Sequence, residues 1–278
     1  MFKIVKKKAL NQRVTSFEIE APDIAAKVQA GQFLILRVDG AGERIPLTIC
    51  GADAEKGTVT IIFQIVGATT EMLNLLGEGE DVHDLVGPLG NPTKLSGQKV
   101  CLVGGGVGTA IVLPVAKSFG AAGFTVHSII GYQNKDLVIL EDEFRACSDK
   151  LVVMTDDGSY GQKGLVTAAL KDLIESGEKY DEVMAVGPLV MMKAVCQVTK
   201  PHGIKTTVSM NSLMLDGTGM CGCCRVTVGG QTKFTCVDGP DFDGFEVDFE
   251  EAALRSRQYR DFEIASHQKV LEAIKAKA

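Results

Sequence analysis

The sequence predicts an N-terminal antiparallel β-barrel joined to an α/β domain with a parallel, nucleotide-binding sheet, then a loop region rich in cysteine and a helical tail. Three observations predict this architecture. Residues 1–96 read as short alternating strands separated by turns, residues 97–208 alternate strands with helices, and four of the eight cysteines crowd into 209–248. Residues 249–278 form the tail. A chain of 278 residues holds two modules at roughly 100–200 residues per domain.

Taken in order, 14–20 alternates around Phe17 and Ile19, 32–38 is an apolar strand, and 58–65 alternates through Val59, Ile61, Phe63 and Ile65. Between Gly67 and Gly77, residues 69–76 predict a short helix with hydroxyls at its start and a glycine at its stop. The texture then changes. A buried strand at 100–103 runs through the tight loop 104–108 into a helix at 109–119, and strands follow at 124–131 and 151–155. Val166, Ala169, Leu170, Leu173 and Ile174 fall at helical spacing, 182–186 is a further strand, and Pro188 opens a helix towards Val198. This is the pattern of a doubly wound sheet. In the tail, Phe262, Ile264, Val270, Leu271 and Ile274 either dock a partner or cover the core.

Composition narrows the function. Lys plus Arg total 29 against 35 Asp plus Glu, for a net charge of -6 and a pI near 5.3. That sign excludes a sequence-independent nucleic-acid binder and favours small molecules or a protein as partners. The basic start lacks the apolar stretch of a secretory signal. The longest uncharged apolar run, 100–116, holds four glycines and a proline and is short for a bilayer span, so no membrane association and a cytoplasmic location are expected. Cysteines there stay reduced. Cys50, Cys101, Cys147 and Cys196 read as small buried hydrophobes.

The sharpest chemical signal is Asp216-Gly-Thr-Gly-Met-Cys221-Gly-Cys-Cys224, with eleven residues between Cys224 and Cys236. The plant-type [2Fe-2S] spacing is C-x4-C-x2-C with a distant fourth cysteine. Here Asp216 takes the first position, and Cys221, Cys224 and Cys236 complete the set; Cys223 is off the pattern and is expected to stay unligated. Gly217, Gly219 and Gly222 suit a loop that wraps a cluster closely. A zinc site and a reduced loop without metal are the alternatives, although zinc usually takes two separated C-x2-C pairs.

A second signal is Val103-Gly-Gly-Gly-Val-Gly-Thr-Ala110 between a strand and a helix. It is not G-x-G-x-x-G in register, but 155–161 and 187–192 also fall at the carboxyl ends of strands, where open parallel sheets bind ligands. Asp156 and Asp157 disfavour a 2'-phosphate and suit NADH. The third signal is Arg44-Ile-Pro-Leu-Thr48 with Gly67-Ala-Thr-Thr70: a planar guanidinium fork and helix-start amides suit a pyrophosphate. By composition alone that segment is ordinary barrel edge.

Together, in this order, these segments resemble the ferredoxin-NADP reductase-like electron-transfer subunits over most of the chain. The group includes the dihydroorotate dehydrogenase electron-transfer subunit. The nearer likeness is to the small subunit of NADH-dependent reduced ferredoxin:NADP oxidoreductase, also called the sulfide dehydrogenase beta subunit, in Ile-Pro-Leu-Thr, Asp-Gly-Thr-Gly-Met-Cys-Gly and Cys-Val-Asp-Gly-Pro. The dihydroorotate group has cysteine where Asp216 stands.

The resemblance implies an FAD barrel, an NAD(H) domain and a [2Fe-2S] loop near a partner. By motif, Arg44, Pro46, Leu47, Thr48, Ile62, Gln64, Gly67, Thr69 and Thr70 would hold FAD. Gly105, Gly106, Val107, Gly108, Thr109, Asp157, Gly158, Gly187, Pro188 and Met191 would hold NAD(H). Thr48 is the candidate hydrogen-bond donor near the flavin's reacting nitrogen, and Leu47 replaces the aromatic of the commoner R-x-Y-[ST]. The implied partner is a larger glutamate-synthase-like flavoprotein carrying the ferredoxin and NADP chemistry, in a heterodimer or higher assembly capable of electron bifurcation. Rival expectations are a pyrimidine-pathway partner, a stand-alone NADH dehydrogenase, and a zinc-stabilised nucleotide-binding module without enzymatic activity.

Overall fold

The computed structural model describes residues 1–277. Its first sheet is antiparallel and contains β1 (Phe2–Ala9), β2 (Val14–Glu20), β3 (Phe33–Arg37), β4 (Arg44–Asp53), β5 (Thr58–Gln64), β6 (Asp81–Val82) and β7 (Asp84–Leu89), in the order β6-β1-β2-β5-β4-β3-β7. A short helix, α1 (Pro22–Ala25), follows β2, and α2 (Ala68–Leu75) follows β5. Alternation does the work expected of it. Phe17 and Ile19 of β2 and Ile61 and Phe63 of β5 point into one buried core, where the Phe17 and Phe63 rings meet edge to face at 5.2 Å.

The second sheet runs β11-β10-β9-β8-β12-β13-β16, from β8 (Lys99–Gly105), β9 (Thr125–Tyr132), β10 (Lys150–Thr155), β11 (Gln162–Lys163), β12 (Glu182–Val186), β13 (Lys205–Ser209) and β16 (Asp241–Asp243). All pairs are parallel except β13 with β16. Continuous apolar runs in β8 and β12 reflect burial on both faces, by α3 (Gly108–Ala121) and α4 (Glu141–Cys147) on one side and by α5 (Val166–Glu175) and α6 (Leu189–Thr199) on the other. The strand order reverses between β8 and β12, so the crevice for a ligand opens between the loops that follow those two strands.

The region after Ser209 is less loop-like than its composition suggests. A hairpin, β14 (Arg225–Val228) with β15 (Gln231–Phe234), stands apart from both sheets, while β16 adds an antiparallel edge to the second. Met214, Cys224 and Cys236 pack on Phe33 and Ile35 of β3, fastening the cysteine loop to the barrel. The tail is two helices, α7 (Phe249–Arg255) and α8 (Arg260–Lys277); Ala278 lies outside the described residues. α8 lies on α2, with His267 Nε2 3.2 Å from Glu71 Oε1. Phe262 and Ile264 remain exposed, so those two side chains do not cover a core.

The start of α3 is packed against backbone. A methyl at Gly108 would meet the Val186 carbonyl oxygen at 2.4 Å and its carbon at 2.8 Å. Alanine would gain about 1 kcal/mol of helix propensity, but the end of β12 is held by parallel strands on both sides and cannot yield. Gly108→Ala is therefore expected to destabilise by a net of about 1–3 kcal/mol, read from urea unfolding; a variant as stable as the parent would mean that α3 can shift freely.

Candidate functional site

One cavity of about 1130 Å³ opens between the two sheets. That exceeds the roughly 300–1,000 Å³ of a site for one small molecule and suits two large cofactors side by side. The barrel contributes Pro46, Leu47, Thr48, Ile62, Gln64 and Thr70. The second sheet contributes Gly105, Gly106, Val107 and Gly108 from the loop after β8, with Gly187, Pro188 and Met191 from the loop after β12. Both glycine-bearing loops thus flank the reversal point. A methyl at Gly105 would lie 2.3 Å from Met191 Sδ, so the two loops are in contact.

Local forces set these groups. Thr48 pairs with Phe33 across β3 and β4. Thr70 closes the start of α2: its hydroxyl accepts from Val66 N and Gly67 N, both at 3.0 Å. Arg44 stands at the head of β4, next to the wall residue Ile45 but not itself in the cavity wall, and its Nε is buried with no hydrogen-bond partner. A buried guanidinium nitrogen without an acceptor is costly unless an anion completes it, which fits a phosphate-bearing cofactor.

Not every expected residue reaches the cavity. Thr69 turns away and donates to Glu43 Oε2 at 3.0 Å, beside a small cavity next to α8. Thr109 is fully buried in α3, and Gly67 is occupied in capping α2. Asp157 accepts from Ser159 N at 2.9 Å and Ser159 Oγ at 2.7 Å, which holds its carboxyl below the usual range, while Gly158 turns the chain at φ +79°. Of the two adjacent aspartates it is Asp156 that lines the cavity, where Glu263 of the tail is a second carboxylate. Arg225, Arg255 and Tyr259 also stand in the cavity wall without a sequence signal; Arg255 and Tyr259 come from a tail that carries no motif.

The cysteine loop holds its four candidate ligands as two pairs. Cys224 Sγ lies 3.2 Å from Cys236 Sγ, and Cys221 Sγ lies 3.4 Å from Asp216 Oδ1. Among the described residues no three His, Cys, Asp or Glu side chains converge on one point. Two pairs suit a two-iron cluster, in which each iron takes two protein ligands. Asp216 Oδ1 accepts from Thr218 N at 3.1 Å and Oδ2 from Cys221 N at 3.0 Å, and these amides keep its carboxyl below the ordinary value. Burial, reinforced by Cys224, pushes the Cys236 thiol up to about 12, so metal binding must displace its proton. Cys223 instead lines the large cavity. Of the scattered cysteines, Cys50, Cys101 and Cys196 are buried, and burial pushes Cys50 and Cys101 to about 12, as inert hydrophobes require.

Residues 211–248 match the family described as the iron-sulfur cluster binding domain of dihydroorotate dehydrogenase B. The chain is 45% identical to the dihydroorotate dehydrogenase B (NAD(+)) electron transfer subunit homolog of Thermotoga maritima, over 97% of this chain and 95% of that one. It is 35% identical to the dihydroorotate dehydrogenase B (NAD(+)) electron transfer subunit of Streptococcus mutans, over 88% and 96%. A chain solved in work on flavin-based electron bifurcation by the NADH-dependent reduced ferredoxin-NADP oxidoreductase superposes with a TM-score of 0.92 at 44% identity, covering 98% of each chain. With this identity carried through both sheets and the cysteine loop, the chain belongs to the family of dihydroorotate dehydrogenase B-type electron transfer subunits.

Proposed function

We propose that this chain is the electron-transfer flavoprotein subunit of an NADH-dependent reduced ferredoxin:NADP oxidoreductase, carrying FAD and a [2Fe-2S] cluster and exchanging hydride with NAD(H). One observation carries the reading: a single cavity receives the barrel loops, the nucleotide loops of the second sheet and the wall of the cysteine loop. When bound there, FAD supplies the step from two-electron hydride exchange with nicotinamide to single-electron transfer with the cluster. The chain's own residues bind and orient. Arg44 and the start of α2 take the flavin pyrophosphate, and the loops after β8 and β12 take the nicotinamide nucleotide. Hydride transfer needs no acid or base from the protein, only rings held face to face.

Asp156 supports NADH over NADPH, since a carboxylate at the cavity edge repels a 2'-phosphate and accepts a ribose hydroxyl. The partner is a larger flavoprotein subunit of glutamate-synthase type, through which ferredoxin and NADP react, in the cytoplasm. Four exposed apolar side chains in and beside the cysteine loop, Leu213, Leu215, Met220 and Val237, support a docking face at the cluster; Met220 is 88% exposed. The alternative partner, a dihydroorotate-oxidising flavoprotein, is favoured by the named relatives but not by Asp216, which replaces that group's cysteine. Co-purification from the native cell distinguishes the two.

The direct test is an anaerobic visible spectrum of the purified protein before and after NADH and NADPH. Flavin bands over a broad iron-sulfur background, bleached by NADH and hardly by NADPH, are expected; a colourless preparation that stays colourless after FAD, iron and sulfide are supplied removes the reading. Thr48→Ala should slow NADH-driven flavin reduction by about tenfold, equivalent to one hydrogen bond of about 1.4 kcal/mol, with flavin content unchanged. An unaltered stopped-flow rate removes that role from Thr48.

A further inference from the structure

Two guanidinium groups grip the cysteine loop at successive carbonyls. Arg225 Nη1 donates to Gly222 O at 2.7 Å, and Arg255 Nη2 donates to Cys223 O at 3.1 Å. These are the two carbonyls lying between Cys221 and Cys224. In a trans peptide the carbonyl and the following N–H point in opposite directions, so the two arginines turn the amides of Cys223 and Cys224 away from themselves. The same bonds fix the spacing of the two cysteines. Both side chains also line the large cavity, so their charges stand between that cavity and the loop.

Arg225 is exposed and Arg255 half-buried, and neither forms an ion pair among the described residues, where the arginines with carboxylate partners are Arg37 and Arg145. Arg255 is delivered by a well-anchored element: Asp248 caps α7 by accepting from Glu251 N at 2.9 Å, Asp248 N donates to Thr227 O at 2.9 Å, and Glu250 pairs with Lys193 of α6. The grip is therefore tied both to the β14–β15 hairpin and to α6, which packs on the second sheet.

We propose that Arg225 and Arg255 act as positioning residues that set the reduction potential of the cluster held by this loop. The inference rests on the iron-sulfur reading given above. Reduction adds a negative charge to the cluster, and two unpaired cations beside its loop favour the reduced form, while their hydrogen bonds keep the loop amides oriented. The tail, by supplying Arg255, becomes part of the redox site although it provides no ligand.

The experiment is a potentiometric titration of the full-length protein, followed by electron paramagnetic resonance and visible absorbance, with iron per chain measured on each sample. Arg255→Gln is expected to keep its iron and to shift reduction about tenfold towards the oxidised form, about 59 mV lower for one electron. Arg255→Lys retains the charge and is expected to recover more than half of that shift, a split that loop packing alone does not produce. Arg225→Gln reports on the same effect from the other side of the loop, should the first variant fold poorly. Variants with full iron and an unchanged potential overturn the inference, as does a lysine variant shifted as far as the glutamine one. Unsubstituted protein that takes up no [2Fe-2S] cluster overturns the reading beneath it before any variant is compared.

Discussion

Replacing Cys224 or Cys236 with serine is expected to lower bound iron and acid-labile sulfide by more than about tenfold and to remove the broad visible absorbance with them. Both thiols are almost fully buried, at 2% and 1% exposure, and their sulfurs already stand 3.2 Å apart against Phe33, Ile35 and Met214. A serine oxygen is harder than sulfur, forms shorter bonds to iron, and must lose a far less acidic proton before it can ligate. The packed floor formed by β3 prevents the loop from closing up to compensate. Asp216→Ala should cost less iron, because that carboxylate lies at the exposed end of the loop and already spends both oxygens on backbone amides of its own turn. Cys223→Ser should cost the least, since its side chain lines the cavity wall and touches the set only through Cys221. Iron analysis beside a melting curve separates lost ligation from lost folding, and a Cys224→Ser protein with full iron would remove Cys224 from the ligand set.

Much of this was legible because burial wrote a period into the sequence. Strand β2 ends where the alternation around Phe17 and Ile19 ends, and β12 coincides with an unbroken buried run. Strand β1 was hidden because Lys3, Lys6, Lys7 and Lys8 leave its apolar face only Phe2 and Ile4 long. Ile4 is buried in the core and Phe2 packs partly against it, while Lys7 holds its ammonium over the Phe17 ring and donates to the carbonyls of Asn74 and Leu76. The β14–β15 hairpin did leave a signal in Gly229-Gly230, whose φ values of +58° and +72° suit the tight two-residue turn that a glycine pair allows. At the site, glycine loops and cysteine spacing were readable because backbone approach and ligation restrict residue type. Which of Asp156 and Asp157 faces the cavity depends on a hydrogen bond to Ser159, and the grip of Arg225 and Arg255 depends on how a tail without motifs docks. Neither follows from spacing.

Asp241→Asn should stabilise the protein at neutral pH by roughly 2–3 kcal/mol and leave it nearly unchanged near pH 4. Asp241 is half-buried, with its Oδ1 sealed from solvent, where the barrel, the second sheet and the cysteine loop meet. Its Oδ2 accepts from Thr93 Oγ1 at 2.6 Å, whereas Oδ1, with Ser209 as its neighbour, has no hydrogen bond of good geometry. Burial raises its carboxyl to about 6, with Thr93 and Ser209 opposing the rise and nearby Glu182 adding to it. An acid whose folded value lies above its unfolded value binds its proton more tightly when folded, so the stability it contributes is complete below about pH 4 and is lost as pH rises through about 6. Above that, the folded protein carries a buried carboxylate with one oxygen unpaired. Asparagine keeps an acceptor for Thr93, offers its amide to Ser209 and never ionises. Urea unfolding of both proteins between pH 4 and pH 8 should therefore give curves that meet at the acid end and separate through pH 5–6; parallel curves would show that Asp241 binds its proton equally in the folded and unfolded chain. Because Ser209 and Pro240 line the large cavity, a carboxyl that ionises in this range sits directly behind the wall that holds the cofactors.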